Sequence, residues 1–117
     1  SAPSDGVMFT PAGSFVSYTG INYNGSLKDW RVPPNSAGQI TGIVFGINTT
    51  SLIVRIDIGV GKGLEFLIDG ESVGIYKTNG EYTIPIPSKF ITGNNHTISI
   101  KNLDSRYQSF TNMSFNV

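Results

Sequence analysis

The chain contains no cysteine, which excludes a disulfide framework, a thiolate metal site and a cysteine nucleophile while leaving the compartment open, since exported β domains often lack disulfides. Charge is also scarce: eight basic and eight acidic residues make up 14% of the 117 positions and cancel formally. With no net positive field to draw in a polyanion, nucleic acid is not an expected partner. No apolar run approaches the ~20 residues that span a bilayer, so membrane insertion is not expected either. The opening SAPSDGVMF lacks the basic-then-apolar order of a signal peptide. The chain therefore reads as a mature or excised fragment, with residues 1–5 a linker or expression remnant. No segment of eight or more residues carries a convincing helical stripe. A single helical turn around residues 88–91 is the most that is expected.

Alternation fills the space left by those absences. In SLIVRIDIG, Leu52, Val54, Ile56 and Ile58 point one way and Ile53, Arg55 and Asp57 the other. This is the period of a half-buried strand whose register is fixed by burial. LEFLID and SVGIYK flank Asp69-Gly70, a pair suited to a type I′ hairpin because both central positions need φ > 0. Asn79-Gly80 repeats that signal before EYTIPI, which predicts a three-strand meander. Residues 22–38 read as mostly loop, interrupted by Gly and the Pro33-Pro34 pair, and residues 14–18 as a weak edge strand. The length suits one domain over residues 1–117 with its own core. The fold class is all-β, an antiparallel β-sandwich of about eight short strands.

Catalytic machinery does not assemble from these residues. The lone histidine, His96, shares a strand face with Ile98 and Ile100, which favours a core role. No Gly-x-Ser-x-Gly elbow accompanies it. GVGKG at residues 59–63 is a fragment of a phosphate loop without its Ser/Thr or a following helix. Asp57, Glu65, Asp69, Glu71 and Glu81 fall on solvent faces or in turns, with no paired-carboxylate pattern. No catalytic residue is therefore assigned. Sequons at Asn24, Asn48, Asn95 and Asn112 are of the kind chance supplies in a chain rich in Asn, Ser and Thr.

Sugar recognition needs aromatic platforms and planar hydrogen-bonding side chains, and two segments supply both types. INYNGSLKDWR offers Tyr23 and Trp30 as platforms with Asp29 and Arg31 as polar partners, and DSRYQSF offers Arg106, Tyr107 and Gln108. Both are expected to come to one end of the sandwich, where loops carry function. For Trp30, packing under a loop is the competing reading. For Arg106 and Tyr107 it is a solvated pair.

The order Trp30, FGINTTSLIVRI, FLIDG, YTIPIPSKFITGNNHTISI and SFTNMSFNV, over residues 30–117, resembles the galactose-binding-like jelly-roll domains. Such domains are attached to SGNH-type carbohydrate esterases, carbohydrate-binding modules and some phage tail proteins. The resemblance implies that His96 is a core element bonded to a neighbouring backbone. It also implies a structural calcium in some members, with Asp104 or Asp5 involved if one is bound, although no Asp-rich ligand cluster exists and Asp29 stands alone. Two functions are compatible with it. One is a non-catalytic carbohydrate-binding or substrate-targeting module of a larger extracellular, surface or virion protein, with a glycan as partner. The other is a structural or assembly domain whose partner is another protein chain.

Overall fold

The computed structural model describes residues 17–57 and 61–116. Asp5, the expected linker over residues 1–5 and residues 58–60 of the glycine loop lie outside them. Ten strands are present: β1 (Ser17–Thr19), β2 (Asn22–Asn24), β3 (Asp29–Val32), β4 (Ala37–Val44), β5 (Ser51–Ile56), β6 (Leu64–Ile68), β7 (Glu71–Tyr76), β8 (Gly80–Pro85), β9 (Asn95–Asn102) and β10 (Gln108–Asn116). They form two five-stranded antiparallel sheets, in the orders β1-β4-β9-β6-β7 and β2-β3-β10-β5-β8. A 3₁₀ turn at Ser88–Phe90 is the only helical element among the described residues.

Alternation places one apolar face of each sheet in a shared core. Sheet one contributes Ile40, Ile43, Leu64, Phe66, Ile68, Ile98 and Ile100, and sheet two Trp30, Val32, Leu52, Val54, Ile56, Ile84 and Phe110. Burying each such side chain contributes about 1.5–3 kcal/mol, offset by the entropy of ordering the chain. Three bulges correct the phase where the sequence breaks it. Ile40 and Ile43 are an odd number of residues apart yet both point inward, because β4 spends one extra residue between their partners Ile98 and His96. The same device acts between Phe66 and Leu67 and between Phe110 and Asn112.

The Asp69-Gly70 hairpin forms as expected: Ile68 faces Glu71, and Asp69 and Gly70 take φ of 50° and 85°. Asn79-Gly80 does not form one, which corrects the expected meander. Asn79 does not take a positive φ, and β8 leaves sheet one to pair along its full length with β5 in sheet two, from Gly80 opposite Ile56 to Pro85 opposite Ser51. Tyr82 then packs on Tyr76 across the sheets at 4.6 Å, and its hydroxyl donates to the Thr78 carbonyl at 2.8 Å. Residues 22–38 are likewise not mostly loop. They hold β2, β3 and the start of β4, closed by an Asx turn in which Asn24 Oδ1 accepts the Ser26 and Leu27 amides at 3.0 and 3.1 Å.

Candidate carbohydrate-binding corner

The residues proposed as a sugar platform divide according to the face of β3 they occupy. Trp30 and Val32 point inward, and Asp29 and Arg31 lie on the outer face. Trp30 is only 6% exposed, with Tyr18 edge-on at 5.1 Å, Tyr23 at 4.7 Å and Phe110 stacked within 7° of parallel at 6.3 Å. Three protein rings thus pack against it. The expectation that Trp30 presents an aromatic surface to a ligand is corrected: it belongs to the core beneath the outer face, and the half-buried Tyr23 packs against it. Gln108 is corrected in the same way, being 1% exposed.

The outward residues meet through strand pairing. Val32 faces Gln108 and Arg31 faces Ser109, so Arg31 lies beside the strand that follows Arg106 and Tyr107. Arg31 Nε and Nη2 bind Asp29 Oδ1 and Oδ2 at 3.1 and 3.5 Å. Tyr107 is 57% exposed and is the one aromatic ring among the described residues that presents a large open surface. The expectation that both segments share one end holds only for part of them. The antiparallel register that brings Val32 to Gln108 carries the β2–β3 turn, residues 25–28, to the opposite end of β3.

Two buried side chains hold the corner. Asn102 closes β9, and its Nδ2 donates to the carbonyls of Val32, Pro33 and Arg106 at 3.0, 3.2 and 2.8 Å, while its Oδ1 accepts the Asp104 amide at 2.9 Å. Asp104 accepts the Lys62 amide at Oδ2 (2.8 Å) and the Arg106 amide at Oδ1 (3.2 Å), and pairs with the Arg106 guanidinium at 3.5 Å. The Lys62 amide is the main cause of a carboxyl pKa lowered to about 2. It prevails, with help from Arg106, over the burial that would raise it. Gly61 lies directly on this cluster: a Cβ there would stand 2.5 Å from Gln108 Nε2, 2.6 Å from Asp104 Oδ2 and 2.8 Å from Arg106 Nη2. Asn102 was not anticipated, yet counting by twos from His96, Ile98 and Ile100 puts it on the buried face. A polar residue at an inward position was the available signal.

The donor set around Asp104 does not fit calcium. Its oxygens already accept N–H donors and face a guanidinium, Asp29 is bound to Arg31, and no group of three or more His, Cys, Asp or Glu gathers among the described residues.

His96 occupies the other end of the sandwich. Its ring stacks on Phe45 at 5.4 Å and meets Phe90 edge-on at 5.6 Å. Nδ1 contacts Asp69 Oδ2 at 2.6 Å and Nε2 contacts Thr92 Oγ1 at 3.2 Å, so its partners are side chains rather than the expected backbone. Burial works to raise the Asp69 pKa, but the bonds from His96 and the Thr97 amide outweigh it and leave the pKa below its ordinary value. The carboxylate–imidazole–hydroxyl line ties the β6–β7 hairpin, β9 and the segment after the 3₁₀ turn together.

Taken as a class, this is an antiparallel β-sandwich of two five-stranded sheets. A family two carbohydrate esterase from Clostridium thermocellum, solved in complex with cellohexaose, shares the fold with a TM-score of 0.59 at 12% identity. An active-site mutant of a family two carbohydrate esterase from that organism gives 0.58 at 17%. The match covers 86% of this chain and 31% of each of those chains, so the likeness is to under a third of their length. No protein-family model and no curated protein sequence matches the chain.

Proposed function

We propose that this domain is a non-catalytic carbohydrate-binding module of a larger extracellular or surface protein, and that it takes glycans at the corner formed by Arg31, Arg106 and Tyr107. The observation that carries the reading is the exposed Tyr107 ring, next to Arg106 in a loop whose Arg106 carbonyl is anchored by buried Asn102, with Arg31 on the neighbouring strand opposite Ser109. An aromatic face packs on the apolar face of a pyranose, and forked N–H donors reach its hydroxyls. Solved proteins sharing this fold include one bound to cellohexaose, which agrees with a glycan partner. The non-catalytic part rests on His96, whose ring is enclosed by Phe45 and Phe90 and bonded at both nitrogens. Isothermal titration of the domain with a panel of oligosaccharides tests the reading. Tyr107→Ala should weaken binding by about tenfold or more, as expected for a base-of-site aromatic contact worth ~1.5 kcal/mol, with the unfolding midpoint unchanged. Binding untouched by Tyr107→Ala would move the site elsewhere, and turnover of acetylated sugars by the isolated domain would refute the non-catalytic role.

A further inference from the structure

We propose that the glycan taken at this corner is anionic, bearing carboxylate or sulfate groups. This rests on the glycan-binding reading and specifies its substrate class. Three separate connections, β5–β6, β7–β8 and β9–β10, bring a cation each to one small region. The Arg106 guanidinium stands against Gly61, at 2.8 Å from a Cβ position there. Lys62 follows, held by its amide on Asp104 at 2.8 Å. Lys77 packs its Cγ 3.0 Å from the Cβ position of Gly63, whose carbonyl in turn accepts the Leu103 amide at 3.0 Å.

Lys62 and Lys77 are exposed, and neither joins an ion pair among the described residues. The acid within the cluster is Asp104, whose carboxylate is enclosed and already met by two amides and Arg106. Asp57 opens the β5–β6 connection, its amide donating to the Ser109 carbonyl and its own carbonyl accepting from Ser109 Oγ, each at 3.2 Å. With Arg106, Lys62 and Lys77 against Asp104 and Asp57, a chain of zero formal charge carries a locally positive rim on the connections next to the loop of the exposed Tyr107. A neutral sugar gains only hydrogen bonds from exposed ammonium groups, whereas an anionic one gains charge attraction as well.

Titrations at 50 mM and 500 mM NaCl would use an oligogalacturonate, a heparin hexasaccharide, neutral cellohexaose and single-stranded oligothymidine. At low salt one or both acidic sugars should bind about tenfold tighter than cellohexaose, roughly threefold per lysine for exposed ion pairs. That advantage should shrink at high salt as screening shortens to a few ångströms. The Lys62→Ala/Lys77→Ala double variant should reduce acidic binding to the cellohexaose level with its unfolding midpoint unchanged. Preference for the uronate assigns the group as carboxylate and preference for heparin as sulfate, and either supports the proposal. Cellohexaose bound equally well, without salt dependence, overturns it and leaves glycan binding standing. Failure of every sugar overturns both. Oligothymidine bound as tightly as the acidic sugars overturns it in favour of a nucleic-acid partner.

Discussion

Asn102→Ala tests whether one buried amide builds the ligand corner. The substitution removes the bonds to the Val32, Pro33 and Arg106 carbonyls and to the Asp104 amide, at 2.8–3.2 Å. The Asp104 amide is buried, and each buried polar group left without a partner costs about 1–3 kcal/mol. Counting the buried Val32 carbonyl and Asp104 amide and allowing water to reach the part-buried Pro33 and Arg106 carbonyls gives a loss of about 3 kcal/mol. At roughly 4 °C per kcal/mol for a domain of this size, the midpoint should fall by about 12 °C in a thermal scan followed by circular dichroism. Asn102→Asp should be at least as harmful at neutral pH, because it sets a carboxylate against three carbonyl oxygens, and should recover in part as acid protonates it. Glycan affinity of Asn102→Ala, measured well below its midpoint, should also fall, since residues 103–107 lose their anchor. A shift under 2 °C, or full stability loss with unchanged affinity, would refute the role assigned to this residue.

Gly61→Ala should loosen the same corner, because the added methyl meets Gln108, Asp104 and Arg106 at 2.5–2.8 Å; a cost of about 1–3 kcal/mol in urea unfolding is expected. Trp30→Ala should lose about 3–5 kcal/mol of stability as a core deletion, whereas any folded Trp30→Phe protein should keep its glycan affinity, and a selective loss of binding would return Trp30 to the ligand. Acid should destabilise the fold between about pH 4 and 2: the Asp104 carboxyl stays ionised to about 2 when folded but takes up its proton near 3.8 when unfolded, so the unfolded state binds more protons in that window. Asp69 acts in the same direction, and Asp104→Asn should flatten the slope of midpoint against pH. Gly70→Ala meets no neighbouring atom, so its cost, about 1–2 kcal/mol from forcing a side chain to φ 85°, should vanish largely in Gly70→Asn.

The sandwich was legible wherever alternation ran long enough to be phased. β5 and β9 show their buried rows directly, and Asp69-Gly70 specifies its own turn through backbone geometry. Asn79-Gly80 misled because a turn signal describes local φ preferences and not which sheet the next strand joins. That choice was made by a six-residue register with β5. Trp30 and Gln108 were ambiguous for a related reason: a four-residue strand, or a strand's first residue, has too few neighbours to reveal which of its faces is inward. Arg106 and Tyr107 were recognisable as types, but the anchor beneath them was visible only as a polar residue at an inward position. The approach of Lys77 to Gly63, next to Lys62, depends on contacts between loops and left no mark in the order of residues.

β10 is the last strand in chain order and yet the middle strand of its sheet, between β3 and β5. Sheet two therefore cannot close while only the earlier strands exist, and Trp30 waits for Phe110 from the far end of the chain before its ring is covered. Such distant pairings place folding toward the slow, millisecond-to-second range of β proteins. They also leave β3 and β5 with open edges during synthesis, so a chaperone that shields unpaired strands would raise the yield of folded protein without altering its final stability.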